Sequence, residues 1–257
     1  MMMKSLILFD IDGTLLQSEK NTIPESTIAA IYKLKEAGHD LGIATGRPLY
    51  LIDERLKALP FNVMIASNGQ HIEYNGELIY ENTIATDIVE DLIAHAKKTD
   101  TPIGLCSSTT YTVTHDTEAV RESFRRVSMP MPAYLPTLHQ TEGILLAWFF
   151  SSDYESLSAQ YADRVRFVPW LEFGADILPL DASKAAGIKY LMTHLDSVPQ
   201  RLITFGDGFN DIEMLQLADI GVVMGNAHDE VKKHGDFVTK HIDEDGIYVA
   251  CEALDLF

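Results

Sequence analysis

The chain of 257 residues reads as an α/β protein: a mostly parallel sheet covered by helices, with a separate α+β unit inserted in its middle. Three observations predict this. Short continuous apolar runs, the signature of strands buried on both faces, alternate with helical stretches in both terminal parts. The middle breaks that rhythm with longer connections and a paired αβ pattern. The composition, 46% hydrophobic and 23% charged, is that of a globular chain able to bury a sizeable core without staples.

Leu6 to Phe9 is the first buried strand. Pro24 to Ala37 is a helix, with Pro24 suited to its first turn, Ile28, Ile31, Tyr32 and Leu34 on one face and Gly38 just past its end. Leu41 to Ala44 is a strand, Pro48 to Leu59 a helix and Val63 to Ala66 a third strand. His71 to Tyr80 alternates around Asn75-Gly76, a type I′ hairpin signal. The inserted unit is expected over 84–180, leaving 1–83 and 181–257 for the flanking domain. It holds helices at Asp87–Lys98, Thr117–Val127 and Glu155–Ala162, and a strand or strand pair at Ile103–Thr114. Further strands are expected at Ile144–Phe150, Val165–Val168 and Ala175–Leu178. The βα rhythm then resumes: helix Ser183–Leu195, strand Leu202–Phe205, helix Asn210–Ala218, strand Ile220–Val223, helix Asp229–Lys233, strand Phe237–Thr239 and helix Asp245–Leu254.

Lys and Arg number 20 against 38 Asp and Glu, a net charge of −18. That excludes a general nucleic-acid binder and docking on an anionic membrane. No apolar stretch approaches the ~20 residues of a membrane span. The apolar start of the chain is interrupted by Asp10 and Asp12 with no small-residue cleavage site after them, unlike a signal peptide. Cys106 and Cys251 fit no metal spacing and read as reduced thiols. The expectation is a cytoplasmic protein, monomeric or weakly dimeric, acting on a small molecule.

The most informative segment is Phe9-Asp10-Ile11-Asp12-Gly13-Thr14-Leu15. A buried strand runs into two carboxylates at its carboxyl end, where open α/β sheets place ligands. Two acids there repel unless a cation or proton shares the site. One can serve as nucleophile or metal ligand while the other keeps a proton to donate.

This segment resembles the first motif of the haloacid dehalogenase superfamily of phosphatases. The other motifs of that family have counterparts in order. Ala44-Thr45-Gly46-Arg47 ends the next core strand, as the second does; Lys184, opening a helix, matches the third; Gly206-Asp207-Gly208-Phe209-Asn210-Asp211 resembles the fourth. The insertion lies between the second and third motifs, the position of a C2 (type IIB) cap. Its αβ pattern and Ser67-Asn68-Gly69 are similar to the Cof-type subfamily.

The resemblance implies a Rossmann-like core and Mg²⁺-dependent hydrolysis of phosphate monoesters through an aspartyl-phosphate. Asp10 would be the nucleophile and Asp12 the general acid and base. Mg²⁺ would be held by the Asp10 carboxylate, the Asp12 backbone carbonyl and Asp207, with Asp211 acting through a water or by orienting Lys184. Thr45, Gly46, Lys184 and Asn210 would bind phosphoryl oxygens. Arg47, beside the second motif, and Asn68 are candidate substrate contacts. Sugar phosphates are the first expected substrates, then flavin mononucleotide or pyridoxal phosphate, and specificity would lie in the cap. A sugar phosphomutase shares the same motifs. A non-catalytic phosphate sensor is the remaining alternative, against which the intact acids argue. Arg121, Arg125 and Arg126 read as a solvated helix face, and Ile144–Phe150 as core of the inserted unit.

Overall fold

The computed structural model describes residues 4–17, 20–126, 130–170, 174–195 and 199–257, without the side chains of Ala119, Arg126 and Trp170. The expected helix end at Val127 and the Arg126 side chain lie outside that description. The chain divides into two compact units, Met1–Tyr80 with Ser183–Phe257 and Glu81–Ala182.

The first unit begins with β1 (Ser5–Phe9), buried throughout. Helix α1 (Glu25–Glu36) follows Pro24, and β2 (Asp40–Ala44) follows Gly38. The helix expected over 48–59 is instead a 3₁₀ turn, Leu49–Leu51, and a short α2 (Glu54–Lys57). The cause is Asp53, whose side chain accepts from the Arg55 N–H and starts a new helix there. β3 (Val63–Ala66), β4 (His71–Tyr74) and β5 (Glu77–Glu81) follow, with Asn75 and Gly76 at φ +52° and +79° in the hairpin turn.

The second unit holds α3 (Thr86–Thr99), β6 (Ile103–Cys106), β7 (Tyr111–Val113), α4 (Glu118–Arg126) and β8 (Ala133–Tyr134). It continues with β9 (Leu146–Phe149), α5 (Tyr154–Tyr161), β10 (Val165–Trp170) and β11 (Gly174–Pro179). Its six strands run in the order β10-β11-β9-β6-β7-β8, antiparallel except for β7 with β8. The apolar strand β9 lies inside this sheet and packs Ala147 and Phe149 with Leu92, Ile103 and Ile177. Arg121 pairs with Asp116, and Arg125 with Glu118 and Glu122, as a solvated face would.

The chain then returns to the first unit with α6 (Lys184–His194), β12 (Arg201–Gly206), α7 (Ile212–Leu217), β13 (Ile220–Val223), α8 (Asp229–Lys232), β14 (Phe237–Val238) and α9 (Gly246–Ala253). The sheet order is β14-β13-β12-β1-β2-β3-β4-β5, parallel from β14 to β3 and antiparallel at β3 with β4. Alternation along β1 splits the core. Ile7 and Phe9 pack with Ile31, Leu34 and Ile247, while Leu6 and Leu8 pack with Ile188, Leu191 and Met214. Phe9 stands opposite Phe205 of β12 and Ile43 of β2, and the Phe9 and Phe205 rings stack at 4.8 Å. The strand ends are therefore level, and the residues that leave them emerge side by side.

Candidate active site

Three of these emerging segments carry the acids and hydroxyl singled out above. Asp10 continues β1 by one residue, its N–H donating to the Phe205 carbonyl at 2.9 Å. Thr45 continues β2, its N–H on the Ile65 carbonyl at 2.8 Å. Asp207 follows β12 directly. Lys184 comes from elsewhere: Ser183 caps α6 by accepting from the Ala186 N–H, so Lys184 is the first residue of that helix.

The Lys184 side chain is fully buried, and its ammonium donates to Asp10 Oδ1 at 2.5 Å and Asp211 Oδ1 at 2.6 Å. A buried lysine needs such partners, because an uncompensated buried charge costs several kcal/mol. Burial pulls the Lys184 pKa down, but Asp10 and Asp211 outweigh it and hold the group charged. Asp211 uses its other oxygen, Oδ2, to accept from the N–H groups of Asp207 (2.9 Å) and Gly208 (2.8 Å). Both its oxygens are thus committed to orienting Lys184 and the 207–208 turn.

Asp207 is held differently. Thr14 Oγ1 donates to its Oδ1 at 3.0 Å, and the Asn226 amide lies 3.3 Å from its Oδ2 and 2.8 Å from the Gly13 carbonyl. Gly13, at φ +83°, has no room for a side chain: a Cβ would stand 2.2 Å from Asp207 Oδ2. Sequence reasoning did not pick out Asn226. The available signal was its place just beyond the apolar strand β13, parallel to β12 with Val223 opposite Gly206.

The remaining candidates fall into two groups. Asn210 Nδ2 donates to Asn68 Oδ1 at 3.1 Å, and a Cβ on Gly46 would meet both amides within 3.4 Å, so these three converge. Asn68 sits in an unusual turn, with Ser67, Asn68 and Gly69 at φ +50°, +52° and +92°. Such left-handed backbone is uncommon for side-chain-bearing residues and concentrates at functional sites. The second group is Asp12 with Arg47. The guanidinium grips the carboxylate by two bonds, Nε to Oδ2 at 2.8 Å and Nη2 to Oδ1 at 2.6 Å, and its Nη1 reaches the Leu51 carbonyl. Arg47, expected on substrate, is thus engaged with Asp12, and the Thr45 hydroxyl accepts from the Arg47 N–H at 3.1 Å.

Among the described residues, Asp10, Asp207 and Asp211 can each bring one carboxylate oxygen within 4.8 Å of the others. Burial first, then repulsion from Asp211, raises the Asp10 pKa well above the usual carboxylate range, with Lys184 opposing. The same two causes raise Asp207 to about 7, with the Thr14 hydrogen bond opposing. Three acids against one ammonium leave negative charge without a counter-charge. Hard oxygen donors in that balance fit a divalent cation of the Mg²⁺ kind. Asp12 does not belong to this carboxylate group; its side chain is turned to Arg47.

Comparison with known proteins agrees with this geometry. The haloacid dehalogenase-like hydrolase family matches residues 7–250. The Bacillus subtilis (strain 168) protein YkrA is 34% identical over 98% of both chains. The 5-amino-6-(5-phospho-D-ribitylamino)uracil phosphatase YitU of the same organism is 28% identical over 94% of each. Among solved structures, the HAD subclass IIB sugar phosphatase BT4131 is 30% identical, with 99% of this chain and 100% of that one covered and a TM-score of 0.89. The family match runs through every segment that builds the pocket, from Asp10 to Asn226, and the chain belongs to the haloacid dehalogenase-like hydrolases as a phosphatase of that superfamily.

Proposed function

We propose that this phosphatase is a Mg²⁺-dependent hydrolase of small phosphate monoesters, sugar phosphates foremost, working through an aspartyl-phosphate on Asp10 with Asp12 as general acid and base. The observation that carries this reading is the Lys184 ammonium shared between Asp10 and Asp211 beside Asp207, at the carboxyl ends of level parallel strands. The Asp10 carboxylate would attack phosphorus in line, and the P–O bond to the leaving alcohol would break as Asp12 gives that oxygen its proton. Asp12, now ionised, would take a proton from water as the water attacks phosphorus, freeing Asp10 and inorganic phosphate. In the structure the Asp12 carboxylate is paired with Arg47, so reaching a leaving-group oxygen requires it to part from that guanidinium. Thr45, Gly46, Lys184 and Asn210 would bind the phosphoryl oxygens, the positioning on which phosphoryl transfer depends. When bound, Mg²⁺ would be held by Asp10, Asp207 and the Asp12 backbone carbonyl, with Asp211 beside it, and supply the charge neutralisation that lets a carboxylate meet an anionic phosphate.

Similarity to BT4131, a sugar phosphatase, and to YitU, named for a phosphoribityl compound, supports the substrate class. The protein would act on small molecules alone, as a cytoplasmic monomer or weak homodimer. The test is phosphate release from p-nitrophenyl phosphate and a panel of sugar phosphates with Mg²⁺. Turnover should vanish with EDTA and in Asp10→Asn. Turnover that survives EDTA and Asp10→Asn would refute the mechanism.

A further inference from the structure

We propose that Asn226 is a positioning residue which, together with Thr14, clamps the Asp207 carboxylate in the orientation that receives the divalent cation. This rests on the phosphatase reading above. Three segments meet at the Asn226 amide. Its Oδ1 accepts from the Ile242 N–H at 3.1 Å. Its Nδ2 donates to the Gly13 carbonyl at 2.8 Å and lies 3.3 Å from Asp207 Oδ2. The orientation of the amide is dictated by its partners: a backbone N–H requires an acceptor, and a carbonyl and a carboxylate require a donor. Only Oδ1 toward Ile242 and Nδ2 toward Gly13 and Asp207 satisfies all three.

The backbone carrying Asn226 is pinned as well. The Gly225 N–H donates to the Lys240 carbonyl at 2.9 Å, and a Cβ on Gly225 would stand 2.5 Å from the His241 nitrogen. The amide is therefore mounted on a packed strand end. On the opposite side, Thr14 Oγ1 holds Asp207 Oδ1 at 3.0 Å. Each carboxylate oxygen thus has its own neutral donor, from two different segments, and a Cβ on Gly13 would stand 2.2 Å from Oδ2. Neutral donors fix direction without consuming the charge that a cation needs, whereas Lys184 is spent on Asp10 and Asp211. Partners of this kind behind a ligand set its orientation, and removing them typically weakens metal affinity 10- to 100-fold.

The test is Mg²⁺ binding by titration calorimetry, without substrate, on wild type, Asn226→Leu and Thr14→Val. Both variants should bind about 10- to 100-fold more weakly than wild type while their circular dichroism stays native. In turnover assays kcat should recover at high Mg²⁺ with KM for substrate unchanged, a split that general loss of structure does not produce. Thr14→Val, which keeps the side chain's shape and removes a single hydroxyl contact, carries the test if Asn226→Leu does not fold. Folded variants that bind Mg²⁺ within twofold of wild type would overturn the clamp alone. Wild type that binds no Mg²⁺ would overturn the metal reading itself, and the clamp with it.

Discussion

Gly13 offers a perturbation whose two costs can be separated. Its φ of +83° penalises any side chain, and a Cβ there would lie 2.2 Å from Asp207 Oδ2 and 2.7 Å from its carboxyl carbon. Non-bonded heavy atoms settle near 3.5 Å, so the carboxylate must retreat by about 1 Å. Displacement of that size at a reacting group costs about 100-fold in rate. Gly38 is the matched control: its φ is +92°, yet nothing stands within 4 Å of its Cβ position. Both Gly13→Ala and Gly38→Ala should lose about 1–2 kcal/mol to left-handed backbone strain. At roughly 2–4 °C per kcal/mol for a chain of this size, each should melt about 2–8 °C lower. Only Gly13→Ala should lose activity, by about 100-fold, measured as p-nitrophenyl phosphate turnover alongside melting curves. Gly13→Ala within threefold of wild type, or Gly38→Ala equally impaired, would refute the argument that Asp207's position sets the rate.

Other consequences follow from the same groups. Lys184→Met leaves Asp10 and Asp211 buried without their cation and should cost about 3–5 kcal/mol in denaturant unfolding, with activity lost. That loss should shrink in acid, because Asp10, whose carboxyl pKa burial already raises, then takes up a proton. Asp207, raised to about 7, favours the protonated fold, so this group's contribution to metal-free stability is lost as pH rises from about 4 through 7. Thermal melts in EDTA should show a shallower slope for Asp207→Asn than for wild type, the remainder coming from Asp10, whose pKa is raised in the same direction. His39 accepts from the Ser5 N–H at Nδ1 (3.1 Å) and meets the Leu256 carbonyl at Nε2 (3.0 Å), so it is neutral in the fold, and burial lowers its pKa. Its contribution is present above the usual histidine pKa and lost as pH falls through the lowered one. His39→Ala should cost about 1–3 kcal/mol by unfolding at pH 8 and less in acid.

The alternation of β1 illustrates how much was legible in the chain. Leu6 to Phe9 is apolar at every position because the strand is covered on both faces, and that continuity marked it as a central parallel strand. The acids just past it, and those after β12, could be placed at strand ends from local pattern alone. The helix expected over 48–59 failed on a local competitor, the Asp53 cap, which periodicity does not weigh.

The α/β class could be read from the chain alone, and the acids and lysine could be singled out as candidates, because these follow from period, punctuation and residue chemistry along the chain. Which groups face one another emerges from the packed fold. It seated Lys184 between Asp10 and Asp211, 174 and 27 residues away, and turned Arg47 onto Asp12. It also recruited Asn226 to Gly13 across 213 residues. Such pairings depend on strand order and register, which bring level the ends of β1, β12 and β13, and no spacing along the chain encodes them.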